Sequence, residues 1–305
     1  MNTAARLSAY GVSLALVAVG GWVVGEAVGP SAGETGVRGG VDTAHTGVHR
    51  GAVGGAAQHQ PEGLASSKGG YTLVPADTTL TPGVEEALTF RITGPRGETV
   101  TRFDVEHEKR MHLILVRRDA SNFDHLHPTM ADDGTWSVPI TVDDPGSYRA
   151  FADFTPAGAE PMTLGVDLAV PGEFQPVHHE LSRVARVDGY EVRLDGELVP
   201  GRTSTLTATV SKDGRPVTDL QPYLGASGHL VALRTGDLAY LHVHPAGHGD
   251  TGGPGIEFAA EVPSAGTYRL FLDFRHENSV RTAEFTLDTT DTGGAPGSPH
   301  TGHGH

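Results

Sequence analysis

The chain has 305 residues and no cysteine, and its 22 basic against 37 acidic side chains leave a formal charge of −15. The lack of thiols excludes a disulfide framework, a thiolate zinc finger, an iron–sulfur cluster, a blue-copper site and a Cys nucleophile. The acidic balance excludes nucleic acid as partner, because such a face needs clustered Lys and Arg.

Residues 1–28 come first in chain order. From Leu7 to Val28 the only charge is Glu26, with Arg6 just ahead. This pattern fits a signal peptide ending near Ala27. It fits an uncleaved anchor equally well, since 22 helical residues reach about 33 Å. Either way the rest of the chain is expected outside the membrane. Residues 29–70 are rich in Gly and Ala without periodicity and read as a flexible tether. Residues 289–305 read as a second such tail, closing on His300, His303 and His305.

Between the tails the same segment occurs twice, as 71–172 and 188–288, joined by a linker over 173–187. His112-Leu-Ile-Leu-Val-Arg117 returns as His229-Leu-Val-Ala-Leu-Arg234. Phe123-Asp-His-Leu-His-Pro128 returns as Tyr240-Leu-His-Val-His-Pro245, and the run from Pro145 to Phe154 returns from Ala265 to Phe274. An offset near 120 residues is far longer than a solenoid period, so whole domains are repeated. Within each copy, short β-branched or alternating segments such as Ala87–Thr93, His112–Arg117, Thr135–Val142, Ser147–Phe154 and Met162–Val170 are punctuated by Gly, Pro and Asp. About seven short strands per 100 residues predict an all-β fold of two tandem immunoglobulin-like sandwiches. Gly146-x-Tyr148 and Gly266-x-Tyr268 resemble the tyrosine corner of that fold, which implies that Tyr148, Ala150, Ala152 and Phe154 face the core, with Asp153 and Asp273 on the opposite face.

The chain holds 17 histidines. In each copy one His precedes an His-x-His by 13 residues: His112 before His125 and His127, His229 before His242 and His244. Residues i and i+2 of a strand share a face. A hairpin turning at Asp119-Ala120 or Gly236-Asp237 sets His112 opposite His127 and His229 opposite His244, so three imidazoles converge in each copy. A neighbouring strand would bring Asp153 beside His112 and Asp273 beside His229. The expected sites are therefore His112, His125, His127 and Asp153, with a twin at His229, His242, His244 and Asp273. Imidazole and carboxylate ligands suit Cu(II) first and Zn(II) next.

Tyr240-Leu-His-Val-His-Pro-Ala-Gly-His-Gly-Asp250 resembles the copper-binding strand of Cu,Zn superoxide dismutases, which implies copper ligation by His242 and His244. The bridging His and the disulfide of that family have no counterpart here. The two-domain architecture also resembles exported copper-handling domains of the CopC-like and YtkA-like kind. Three classes of function stay open. A tethered module could handle copper or zinc outside the cell, with an envelope metal transporter or metalloprotein as its partner and the membrane reached through the N-terminal helix. A metalloenzyme would need an open coordination position, yet no nucleophile motif or repeated general base stands out, so no catalytic residue is assigned. A structural or adhesive surface protein would use its histidines only for packing.

Overall fold

The computed structural model describes residues 61–241, 243–246 and 253–289. The expected N-terminal signal or anchor (1–28), the tether up to residue 60 and the tail from residue 290 lie outside them. No helix occurs among the described residues.

The first repeat is built from β1 (Ser67–Lys68), β2 (Tyr71–Pro75), β3 (Glu86–Thr93), β4 (His112–Arg117), β5 (Asp124–Leu126), β6 (Thr129–Met130), β7 (Trp136–Ile140), β8 (Gly146–Phe154) and β9 (Met162–Val170). The second contains β10 (Val184–Val187), β11 (Tyr190–Asp195), β12 (Arg202–Lys212), β13 (Arg215–Pro216), β14 (Gly228–Arg234), β15 (Tyr240–Leu241), β16 (Val243–Pro245), β17 (Gly255–Val262), β18 (Thr267–His276) and β19 (Ser279–Asp288). Each repeat forms two sheets. Their orders are β1-β2-β3-β7-β6 with β5-β4-β8-β9, and β10-β11-β12-β17-β16 with β15-β14-β18-β19, β13 pairing with β12. Both repeats thus have the two-sheet order of an immunoglobulin-like sandwich. In each, the chain changes sheets just after the hairpin, between β5 and β6 and between β15 and β16.

Alternation explains the cores. In β3 the buried Leu88, Phe90 and Ile92 point inward while their neighbours point out. They pack with Trp136, Tyr148, Ala150, Ala152 and Phe154. The second repeat packs Val192, Leu206, Phe258, Tyr268, Leu270, Leu272 and Phe274 in the same way. Both tyrosine corners form: Tyr148 Oη donates to the Asp144 carbonyl and Tyr268 Oη to that of Ser264, each at 2.9 Å. The glycine two residues earlier has a φ of +146° in both copies, a conformation that a side chain would oppose.

The outer faces do not meet solvent as an ordinary half-exposed sheet would. Ile114, Val116 and Phe151 pack against Val231, Leu233 and Phe271 in a third core between the repeats, within one compact unit. Each sandwich thus keeps its own core and shares this one. The aromatic contacts are reciprocal. Phe123 stacks on Phe271 with centroids 4.0 Å apart, and the repeat-equivalent residues Tyr240 and Phe151 meet at 5.6 Å. The two repeats therefore pack as the subunits of a two-fold dimer would, with one patch used twice.

Residues 61–70, read from the sequence as the end of a tether, are bound into the fold. Gly63 N donates to Thr163 O, Gly165 N to Ala65 O, and Tyr240 N to Glu62 O, at 2.9–3.0 Å. The buried Arg149 guanidinium donates to the carbonyls of Gly63 and Leu64. This strap touches β9 of one repeat and β15 of the other. Similarly, the linker expected over 173–187 contributes β10 to the second sandwich.

Candidate metal centre

The strand register carries the histidines to one place. Leu113 pairs with Leu126 and Ile114 with His125, so His127 comes level with His112 one step further on. His112 pairs with Asp153 across β4 and β8, and His229 with Asp273 across β14 and β18. All of these positions belong to the outer faces, which meet at the interface between repeats. The ligand atoms of His112, His125 and His127 lie within 4.8 Å of one another.

Hydrogen bonds settle which ring nitrogens carry hydrogen. His112 Nε2 donates to the Glu106 carbonyl at 3.1 Å, since a carbonyl can only accept. His125 Nδ1 donates to Asp273 Oδ2 at 2.8 Å, while Thr282 Oγ1 holds the other oxygen at 2.6 Å. In the neutral rings, His112 Nδ1 and His125 Nε2 are then both bare, and they face each other at 3.1 Å. A proton between them would relieve the repulsion, but burial and then the neighbouring His125 push the pKa of His112 down to about 3. Burial likewise lowers His127 to about 4. His127 Nε2 is itself buried without a hydrogen-bond partner. His127 thus adds a buried, unpartnered ring nitrogen to the three-histidine group.

The spacing fits a metal. With metal–nitrogen bonds of about 2.05 Å, tetrahedral corners lie about 3.3 Å apart and the ring centroids about 5.2 Å apart. The observed centroid separations are 5.3 Å for His112–His125, 5.1 Å for His112–His127 and 4.8 Å for His125–His127. His229 stands further out, 6.4 Å from His112 and 6.3 Å from His125. His112 and His125 also wall a cavity of about 130 Å³, beside Asp153 and His229.

The remaining expected residues are placed differently. Asp153 is not within the three-histidine group; it accepts from Thr163 Oγ1 at 3.2 Å, and burial raises its carboxyl to about 6. Asp273, expected as a ligand in the second copy, instead orients His125 of the first, because the interface brings the two faces together. His229 donates through Nε2 to the carbonyls of Tyr223 and Leu224 at 3.0 and 3.2 Å. His242 lies outside the described residues, and His244, described only by its backbone, is not opposite His229 as expected: the chain has crossed to the other sheet, where His244 pairs with Ala259 in β17. His107, whose matching position in the second repeat is Leu224, belongs to neither expected site but also lies close by. Its ring lies 5.0 Å from His229 and 6.2 Å from His112. Its one sequence signal is its place five residues before His112.

Among solved structures the chain is similar to Salmonella alpha-2-macroglobulin reacted with methylamine, at 13% identity over 77% of this chain and 16% of that one, with a TM-score of 0.27. It is similar to the Escherichia coli adhesin FdeC at 14% identity over 74% and 65%, with a TM-score of 0.23. Similarity to invasin, a bacterial integrin-binding protein, is 11% over 72% and 40%, with a TM-score of 0.24. The chain spans less than two thirds of each of these proteins. No curated protein matches it. Residues 66–171 and 185–291 each match the family described as a domain of unknown function (DUF8832), one match to each sandwich, and the chain belongs to that family.

Proposed function

We propose that this protein is an exported metal-binding protein that captures and passes on a divalent transition metal at His112, His125 and His127. The observation that carries this reading is the pair of bare nitrogens of His112 and His125 facing each other at 3.1 Å. A cation offers both lone pairs of the neutral rings a partner. His112 and His125 each donate their second ring nitrogen to an oxygen, the arrangement that orients histidine ligands around a metal. Copper(II) comes first by affinity order and zinc next, and a site without thiolate is poorly suited to Cu(I). Three protein ligands leave a tetrahedral ion one open corner, which suits exchange with an envelope transporter or metalloprotein. The apolar run before residue 29 supports export, as a membrane anchor or a cleaved signal.

The test is a titration of the metal-stripped full chain with Cu(II) and Zn(II), compared with the His125→Ala/His127→Ala variant. One tight equivalent present in the parent and lost in the variant supports the reading. Superimposable titrations would mean that only the tail histidines bind. The third core favours a second reading, in which the chain is a structural surface protein and the histidines pack the seam between its repeats. On that reading the melting temperature would not respond to metal.

A further inference from the structure

His107 and His229 come from different repeats, and their rings are 5.0 Å apart, the separation that two imidazoles on one ion require. Both line the cavity that His112 and His125 also wall, together with the carboxyl of Asp153. The Nε2–H of His229 is committed to the carbonyls of Tyr223 and Leu224, which leaves its Nδ1 as the bare nitrogen. Neither ring completes the three-histidine group, since both sit more than 6 Å from His112.

The turn that carries His107 is a second, independent observation. Glu106 and Lys109 close it with reciprocal backbone hydrogen bonds, and its two central residues, His107 and Glu108, have φ of +46° and +64°. Such turns favour Gly or Asn, and any other residue there is held against its backbone preference. The matching turn of the second repeat, closed by Tyr223 and Ala226, has Leu224 and Gly225 at those positions, with φ of +54° and +76°. The same turn thus exists in both copies, with a side chain at positive φ in its first central position each time, leucine in one and, in the other, an imidazole against the cavity.

We infer that His107 and His229 form a second metal position, shared between the two repeats and separate from the three-histidine centre, with Asp153 supplying negative charge across the same cavity. This rests on the three-histidine reading, because the second ion is placed beside the first. His107 lies on an exposed turn, so this position is the weaker of the two and fills second.

Electron paramagnetic resonance of the full chain loaded stepwise with Cu(II) tests the arrangement. One equivalent should give an isolated Cu(II) spectrum, and a second should give dipolar broadening and a half-field line from two copper ions within about 8 Å, as two adjoining imidazole-bound ions would be. His107→Leu copies the residue of the sister turn and so preserves the fold. It should abolish the half-field line and keep the first spectrum. A half-field line that persists in His107→Leu, or isolated spectra at every loading of the parent, overturns the second position alone. A first spectrum unchanged by His125→Ala overturns both positions.

Discussion

At the scale of single residues, the chemistry turns on which nitrogen carries a hydrogen. Asp273 and the Glu106 carbonyl hold His125 and His112 with their bare nitrogens turned toward each other. Asp273→Asn should therefore leave the fold intact and weaken metal binding about 10- to 100-fold, as loss of such an orienting partner does; competition titration against a chelator would measure it. The pH response follows from burial. His112 is lowered to about 3, and His127 and His229 to about 4, against an ordinary value of about 6.5. Between about pH 4 and 6.5 the unfolded chain binds protons at these three positions and the folded chain does not, so stability rises with pH across that window. The metal-free melting temperature should fall as pH drops from 7 to 5, and a His112→Phe/His127→Phe/His229→Phe variant should flatten that slope. The spacing of these histidines was legible in the sequence because strand periodicity and hairpin register are local rules. The partner of His125 was not, since Asp273 stands 148 residues away and reaches it only through the packing of the repeats.

Among the elements, β4, β8 and β9 were readable almost to the residue, because short apolar runs bounded by Gly, Pro and Asp and the Gly-x-Tyr motif are strong local signals. Tyr148→Phe removes the bond to the Asp144 carbonyl and the one accepted from Asn122 Nδ2, both at 2.9 Å. It should cost about 1–2 kcal/mol in chemical denaturation, the usual net value of such bonds. The strap over residues 61–66 gave no signal at all. It has no periodicity, and its order comes from the distant Arg149 and from the bareness of Gly165, where a Cβ would lie 2.0 Å from the Gly63 carbonyl. Gly165→Ala should detach the strap while β8 and β9 stay paired, seen as faster hydrogen exchange confined to residues 61–66.

Over the whole molecule, the seam between the repeats decides behaviour. Phe271 is fully buried against Phe123 of the other repeat. Phe271→Ala should cost about 3–5 kcal/mol. It should also split a single thermal transition into two, because each sandwich keeps its own core while the shared one is hollowed; calorimetry would resolve this. The sequence by itself determined the duplication, the all-β class, the inward face of the two Gly-x-Tyr strands and the His-x-His register of the first repeat, since these follow from patterns along one chain segment. The tertiary structure alone decided that the two outer faces close on each other. An outward row such as Ile114, Val116 and Phe151 reads as apolar without naming what covers it. Once the matching row of the second repeat covers it, His229 and Asp273 are brought to the histidines of the first repeat across one seam.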